Sequence, residues 1–215
     1  MVSERSVAFV VLAAGGSNRL GTPKQLLRWR GRTLLRRAAE TAVASVRRPG
    51  TSAGRAGGAT TVPLGPVVVV LGAEARAMRA ELDGLAVHVA VNRRWRDGLA
   101  SSLRSGLRAA IAASGRGGPA AVLFVTCDQP YITPSLLRSL VQQFRAGAPI
   151  VACAYAGTLG VPALFGRTLF GELASLEGDA GARRVIERHR DVVRIVAFER
   201  GATDVDTQAD WESLH

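Results

Sequence analysis

Six short apolar runs, separated by segments of helical spacing, constrain the fold of this 215-residue chain more than any other feature. Each run is continuously apolar, which is typical of strands buried on both faces of a mostly parallel sheet. The strand-like runs are VAFVVLA (7–13), VVVVL (67–71), AVHVAV (86–91), AAVLFVT (120–126), IVACAY (150–155) and VVRIVAF (192–198). The segments with helical spacing are residues 33–46, 74–82, 99–114 and 134–146. This alternation predicts one three-layer, Rossmann-like α/β domain over residues 1–215, with right-handed crossovers.

Two segments depart from this alternation. Residues 47–66 are rich in Gly, Pro, Ser and Thr and have no apolar period, which predicts a long, flexible loop inside the domain. Residues 155–173 (YAGTLGVPALFGRTLFGEL) combine glycines with β-type residues. They predict a small β excursion from the sheet, either a strand pair or a lid.

Composition and charge exclude several classes of partner. The net charge of +11 favours polyanions such as nucleotides or phosphorylated small molecules. The arginines are spread along the chain and aromatic residues make up only 5%, so a stacking platform for nucleic acid is not expected. No apolar run reaches the roughly 18 to 20 residues of a membrane span. We therefore expect neither a nucleic acid nor a membrane as partner.

The cysteines and the N-terminal segment indicate a compartment. Cys127 and Cys153 lie in apolar, strand-like surroundings without CxxC spacing, which is typical of reduced thiols. The N-terminus imitates a secretion signal, since Arg5 precedes VAFVVLAA, but the residues that follow form a loop with its own chemistry. We therefore expect a cytoplasmic protein.

The loop after the first apolar run has the composition of an anion-binding turn. In a parallel sheet, ligands bind beyond the carboxyl ends of the strands. Residues 13–16 have small side chains that let backbone N–H groups approach an anion, and Arg19 and Lys24 add positive charge. The ATPase phosphate loop is excluded because Thr22, and not a lysine, follows the second glycine of its spacing. The dinucleotide fingerprint is excluded because the glycines fall at 15, 16 and 21.

The same loop fits a longer pattern, L-A-A-G-x-S-x-R-x-G-x-x-K, over residues 12–24. This pattern resembles the nucleotide-binding signature of the sugar and cofactor nucleotidyltransferases. Within that group the chain looks like the molybdenum cofactor cytidylyltransferases and their guanylyltransferase relatives. It departs from their pattern at Leu99 and Ala100, where Met and Ser are usual, and in the long loop. Further segments similar to motifs of that family are NRRWRDGLASSLRSGL (92–107), TCDQPYIT (126–133), TLGVPALF (158–165), GDAGAR (178–183) and DVDTQADW (204–211).

The resemblance implies where a nucleoside triphosphate would bind. Arg19 and Lys24 would neutralise the triphosphate and the leaving pyrophosphate, and together with Asp128 they are the expected catalytic residues. Ser101 and Ser102, near the start of a helix, would contact the base or a phosphate; the alternative is that they only cap the helix. The full expected nucleotide-binding set is Leu12, Ala13, Ala14, Gly15, Gly16, Arg19, Lys24, Gly72, Ala73, Ser101 and Ser102.

Mg²⁺ is the expected cofactor, because it prefers oxygen ligands and commonly uses one or two carboxylates together with phosphate oxygens. Asp128 follows an apolar run at the same predicted edge of the sheet as the loop. The resemblance implies that Asp206 completes the metal site. The alternatives are that Asp128 only orders the turn before Pro130 and that Asp206 caps the final helix.

The resemblance also implies a reaction: transfer of CMP from CTP to the terminal phosphate of molybdopterin or molybdenum cofactor, with release of pyrophosphate. Asp179 and Arg183 would contact this acceptor, the alternative for both being a capped, charged turn. A recipient molybdoenzyme would be a further partner. GTP or ATP as the donor, another phosphorylated acceptor, and a non-catalytic molybdenum cofactor carrier or insertion partner remain alternatives.

Overall fold

The computed structural model describes residues 6–16, 21–46 and 65–214. Arg19 lies outside the described residues, and so does nearly all of the loop expected at residues 47–66. The first strand, the end of the glycine-containing loop and the rest of the sheet lie within them.

The helices and strands of the described residues follow the predicted alternation. The strands are β1 (Val7–Ala13), β2 (Arg28–Trp29), β3 (Arg32–Thr33), β4 (Val67–Leu71), β5 (His88–Val91), β6 (Ala121–Thr126), β7 (Ile150–Tyr155), β8 (Thr158–Gly166) and β9 (Val193–Ala197). The α-helices are α1 (Leu34–Val46), α2 (Ala75–Ala80), α3 (Leu99–Ala113), α4 (Pro134–Arg145), α5 (Phe170–Ala174), α6 (Ala182–Arg188) and α7 (Gln208–Glu212). Short 3-10 helices are formed by Lys24–Leu26, Trp95–Asp97, Arg167–Leu169, Arg190–Val192 and Glu199–Ala202.

Seven strands form one sheet in the order β5-β4-β1-β6-β8-β7-β9. All neighbouring pairs are parallel except the two that involve β8. The strands β2 and β3 form a separate antiparallel pair. The predicted three-layer α/β fold with a mostly parallel sheet is therefore confirmed.

The alternating side chains of β1 show why its sequence is continuously apolar. Val7, Phe9 and Val11 point to the side of the sheet covered by α1 and α4, where they join one buried cluster. Ala8 and Val10 point to the opposite side, where α3, α5 and α6 contribute to a second cluster. Because both faces of the central strands are covered by helices, each position on them must be apolar.

Residues 155–173, predicted as a β excursion from the sheet, contain β8, which forms a strand pair with β7 inside the main sheet, and then the Arg167–Leu169 3-10 helix and most of α5. β7 and β8 pair as a hairpin in which Tyr155 lies opposite Thr158. The two turn residues both have positive φ, 46° at Ala156 and 72° at Gly157, as in a type I′ turn. β8 then continues between β6 and β7 and pairs with both of them.

No helix within the described ranges is both long enough and apolar enough to span a membrane.

Helix α3 packs closely on the sheet at Gly106. A Cβ atom added at this position would lie 2.5 Å from Val10 Cγ1 and 3.0 Å from Val70 Cγ2. Both valines are fully buried, so neither can move away without disturbing the core. The absence of a side chain at Gly106 therefore sets how near α3 lies to β1 and β4.

We expect Gly106→Ala to lower the free energy of unfolding by about 1–3 kcal/mol through overpacking, less the roughly 0.5–1 kcal/mol that alanine contributes in a helix. Gly171→Ala in α5 is the matched control, because an added Cβ there meets nothing within 4 Å. It should be neutral or stabilising. Urea unfolding of both variants measures the difference, and equal stability of the two would contradict the close packing of α3.

Candidate functional site

A cavity of about 570 Å³ opens beyond the carboxyl ends of β1 and β6. This is the edge of a parallel sheet at which ligands are expected. The first loop, the Lys24–Leu26 3-10 helix, the start of α3 and the turn after β6 all contribute to its walls. The sequence-predicted residues that line it are Leu12, Ala13, Ala14, Gly15, Gly16, Lys24, Ser102, Asp128 and Asp179.

The amide of Gln25 holds the two ends of the first loop together. Its Nε2 atom donates to the carbonyl oxygens of Ala13, at 3.3 Å, and Gly15, at 2.7 Å. Gln25 is only 1% exposed. Gln25 is not among the site residues expected from the sequence, where it appears only as a polar residue between Lys24 and two leucines. By fixing its neighbour, Gln25 also fixes the backbone from which Lys24 extends.

Gly72 and Ala73 contact the backbone of the first loop at Ala14 and are not among the residues that line the cavity. The backbone N–H of Ala73 donates to the carbonyl oxygen of Ala14 at 3.2 Å. A Cβ atom at Gly72 would lie 2.4 Å from that same oxygen and 2.9 Å from Trp95 Cβ. The structure thus uses this glycine to bring the turn after β4 against the loop after β1.

The ammonium of Lys24 lies between two carboxylates that are far apart in sequence. Lys24 Nζ is 2.6 Å from Asp128 Oδ2 and 2.7 Å from Asp206 Oδ1. The side chains of Lys24 and Asp128 are largely buried, with 15% and 18% exposure, whereas that of Asp206 is 39% exposed. Burial alone would lower the pKa of Lys24, but the charges and hydrogen bonds of the two carboxylates outweigh it and raise that pKa above its usual value.

The segment that carries Asp206 is tied to the turn after β6. The N–H of Val205 donates to the carbonyl oxygen of Asp128 at 3.0 Å, and Gln129 Nε2 donates to the carbonyl oxygen of Gly201 at 3.0 Å. Helix α7 is capped by Thr207, whose hydroxyl accepts from the backbone N–H of Asp210. The alternative in which Asp206 caps the final helix is therefore wrong, because Thr207 is the N-cap.

The arrangement of these carboxylates fits a divalent cation. Oxygens of Asp128 and Asp206 approach the same positively charged nitrogen, so they converge on one position that a cation occupies. Among the described residues, no group of three or more His, Cys, Asp or Glu side chains is arranged to hold a metal ion. Two carboxylates completed by phosphate oxygens are a usual way of binding Mg²⁺.

A third carboxylate, Asp204, belongs to the same negatively charged group. Partial burial and the charges of Asp128 and Asp206 raise the pKa of Asp204 to about 6. The segment DVDTQADW contains this residue, but no role is expected for it from the sequence. The charges of Asp128 and Asp206 act on Asp204 in addition to its burial.

Two neighbouring serines at the start of α3 have different surroundings. Asn92 Nδ2 donates to the hydroxyl oxygens of both Ser101, at 2.8 Å, and Ser102, at 3.1 Å. The Ser101 hydroxyl also lies within donating distance of the carbonyl oxygens of Arg94 and Gly98, at 2.8 and 2.9 Å. Its hydrogen is therefore used within the protein. Ser102 accepts from Asn92 and lines the cavity, so its hydrogen can be donated to a bound molecule.

The two residues expected to face the acceptor are separated by the structure. Asp179 lines the cavity, and its carboxylate packs against Gly98, where an added Cβ would lie 2.7 Å from Asp179 Oδ1. Arg183 instead pairs with Glu187 on the exposed side of α6, at 2.8 Å. It lines a different, small cavity together with Thr158. The structure does not bring Arg183 into the larger cavity.

Arg96 and Cys127 also line the cavity, and neither had an expected role there. The guanidinium of Arg96 lies 4.3 Å from the centroid of the Trp95 ring. Burial and the charge of Asp128 raise the pKa of the Cys127 thiol to about 12, which makes it a poor nucleophile. Burial likewise raises the pKa of Cys153 to about 12, and both cysteines are free.

Comparisons with known proteins agree on one family. Residues 9–192 match the family described as the MobA-like NTP transferase domain. The nicotine blue oxidoreductase of Paenarthrobacter nicotinovorans is 32% identical over 212 residues, covering 94% of this chain and 92% of that protein. The crystal structure of Rv0371c from Mycobacterium tuberculosis is similar, with 35% identity, a TM-score of 0.74 and 97% coverage of both chains. A structure of Rv0371c in complex with manganese has 32% identity and a TM-score of 0.71, and covers 98% of this chain and 97% of that one.

The two serines should respond differently to substitution. We expect Ser101→Ala to lower the free energy of unfolding by about 1–3 kcal/mol, because buried partners lose their hydrogen bonds. Ser102→Ala removes a single acceptor for Asn92 and should cost less, about 0.5–1.5 kcal/mol. Urea unfolding distinguishes them, and a larger loss in Ser102→Ala would contradict the different roles of the two hydroxyls.

Proposed function

Because the chain belongs to the family of MobA-like NTP transferase domains and is a nucleotidyltransferase of that family, we propose that it transfers CMP from CTP to the terminal phosphate of molybdopterin or molybdenum cofactor and releases pyrophosphate. We further propose that it does so in the cytoplasm, as one domain, with Mg²⁺ as cofactor, and that a molybdoenzyme receives the product.

The observation that carries this proposal is the contact of Lys24 with Asp128 and Asp206: Lys24 and Asp128 line the cavity, and Asp206 pairs with Lys24 beside it. The loop from Ala14 to Gly16 lies in the wall of the same cavity. Sites that bind a polyphosphate combine backbone N–H donors, a cationic side chain and a carboxylate-bound metal within reach of one another. This cavity offers a place for each.

In the proposed reaction an acceptor phosphate oxygen attacks the α-phosphorus of CTP. A new P–O bond forms, and the bond between the α-phosphorus and the bridging oxygen breaks, so that pyrophosphate leaves with the electron pair. Asp128 and Asp206 would hold the Mg²⁺, which when bound neutralises phosphate charge. Lys24 would stabilise the charge that develops on the leaving group. Arg19 stays a proposed triphosphate contact, since it lies outside the described residues.

Two further residues that line the cavity suit the two substrates, Ser102 the nucleotide and Asp179 the acceptor. Ser102 would donate its hydroxyl hydrogen to the nucleotide, and the position of its oxygen is fixed by Asn92. Asp179 lies across the cavity at the turn before α6 and would accept from the N–H groups of a pterin-like acceptor. Gly72, Ala73 and Ser101 would act indirectly, through the loop and helix that they support.

Alternative functions of this protein would each predict a different preferred ligand. GTP or ATP as donor would keep the same phosphate contacts and change only those made to the base. The relative named nicotine blue oxidoreductase suggests a second candidate, an oxidoreductase activity, although the G-x-G-x-x-G pattern of a dinucleotide-binding turn is absent from the first loop. A carrier of molybdenum cofactor would bind nucleotide without turnover.

A panel of ligands tested by thermal shift distinguishes these functions. We expect CTP with Mg²⁺ to stabilise the protein most, by about 2.7 kcal/mol at ~100 times its dissociation constant. GTP, ATP and NADPH serve as comparison ligands. A large shift with GTP and none with CTP would refute the cytidylyl assignment, whereas a shift with NADPH alone would favour the oxidoreductase.

Asp128→Asn should lower the rate of pyrophosphate release by about 100-fold or more, because the proposed metal loses a charged ligand. Asp191→Asn is the matched control, since Asp191 is exposed and precedes β9 at the opposite edge of the sheet. Its rate should be unchanged. Pyrophosphate release with CTP, Mg²⁺ and the molybdopterin acceptor measures both, and wild-type activity in Asp128→Asn would rule out its role.

A further inference from the structure

The chain uses lysine only once. Of its 28 basic residues, 27 are arginine and one, Lys24, is lysine. This single lysine contacts two carboxylates at 2.6 and 2.7 Å. An ammonium is a compact charge with three donors, whereas a guanidinium is a planar fork that suits one carboxylate side by side. The position between Asp128 and Asp206 therefore suits a compact cation such as an ammonium.

A small cation of higher charge fits the same position. The two carboxylate oxygens that contact Lys24 Nζ are those of the proposed metal ligands. An ammonium and a divalent cation repel each other at such separations, most strongly where water is partly excluded. The two cations should therefore exclude one another from these oxygens.

The Lys24 ammonium, once displaced from the carboxylates, could move toward another part of the same cavity. Lys24 and the backbone of Gly15 and Gly16 line the same cavity, where the phosphates of a nucleotide would lie. The backbone of Lys24 is held in place, because its neighbour Gln25 donates hydrogen bonds to the carbonyl oxygens of Ala13 and Gly15. Movement is thus confined to the side chain of Lys24.

We propose that Lys24 is the built-in counter-ion of the metal site: its ammonium and a divalent cation compete for Asp128 and Asp206, and the arriving metal directs the ammonium toward the polyphosphate. The polyphosphate part of this statement rests on the proposed function, whereas the competition does not. Metal and triphosphate would then favour each other's binding. A bound metal would release the Lys24 ammonium for the triphosphate, and a bound triphosphate would draw the ammonium away from the carboxylates that hold the metal.

Metal binding to the full-length protein without nucleotide tests the competition. We expect Lys24→Met to bind Mn²⁺ about tenfold or more tightly than the wild type, as measured by the electron paramagnetic resonance signal of free Mn²⁺. Arg96→Met removes one positive charge from the same cavity without removing a partner of the carboxylates. It should change the affinity by less than about fivefold, as expected for an exposed charge. Equal Mn²⁺ affinity in Lys24→Met and wild type, or no binding by either, would overturn the proposal.

A second measurement uses the wild type alone and does not depend on a variant that folds. Because the chain has one lysine, protein labelled with [¹⁵Nζ]lysine gives a single side-chain resonance in the NMR spectrum. We expect Mg²⁺ alone to shift this resonance, with saturation at the concentration at which Mg²⁺ displaces Mn²⁺. A resonance that stays unmoved at saturating Mg²⁺ would refute the competition. If Mg²⁺ shifts it and CTP has no effect, the competition stands and the proposed nucleotide is wrong.

Discussion

The contact of Lys24 with Asp128 and Asp206 joins parts of the chain that are 104 and 182 residues apart. The two carboxylates would repel each other without a cation between them. The Lys24 ammonium therefore allows Asp128 and Asp206 to lie close together. The site also draws the C-terminal segment onto the sheet, where the backbone of Val205 binds that of Asp128. Fold and site therefore depend on the same few contacts near the end of β6.

A parallel sheet makes this gathering possible. β1, β4 and β6 run in the same direction and lie side by side, so the loops that follow them emerge at one edge although the strands are far apart in sequence. The close approach of the first two loops needs Gly72, because any side chain there would meet the carbonyl of Ala14. The buried apolar strands hold these loops in place, and the small residues at the end of β1 leave room for a ligand in the cavity.

Most of the fold could be predicted from the sequence, and the exceptions have physical causes. Strands buried on both faces leave a continuous apolar run, and this pattern predicts both β1 and β4. The hairpin between β7 and β8 was harder to recognise, since its turn is Ala156–Gly157 and not the Asn-Gly pair that favours positive φ. Alanine with a φ of 46° is uncommon. The glycines and β-type residues of this segment predict an excursion, whereas Thr158–Gly166 form a strand within the sheet.

The candidate site was predictable where a motif places a residue at a strand end, as for Asp128, and less so elsewhere. Asn92 and Gln25 act through buried hydrogen bonds, which depend on the packing of elements that the sequence does not position. Arg183 is a different case, because Ala182, Val185 and Ile186 are the buried residues of α6. The helical period then puts Arg183 and Glu187 together on the exposed side.

Net charge was a poor guide to the site, and the reason concerns how a polyphosphate would bind. Although the chain carries +11, the charged residues that line the cavity within the described part of the chain are two cations, Lys24 and Arg96, and two anions, Asp128 and Asp179. Asp206 adds further negative charge beside Lys24. The charges of these described residues nearly balance, so they do not by themselves attract a highly charged anion. A divalent cation bound at Asp128 and Asp206 would change the sign of that end of the cavity and leave the Lys24 ammonium for the phosphates, so metal and nucleotide would each be needed for the other to bind well.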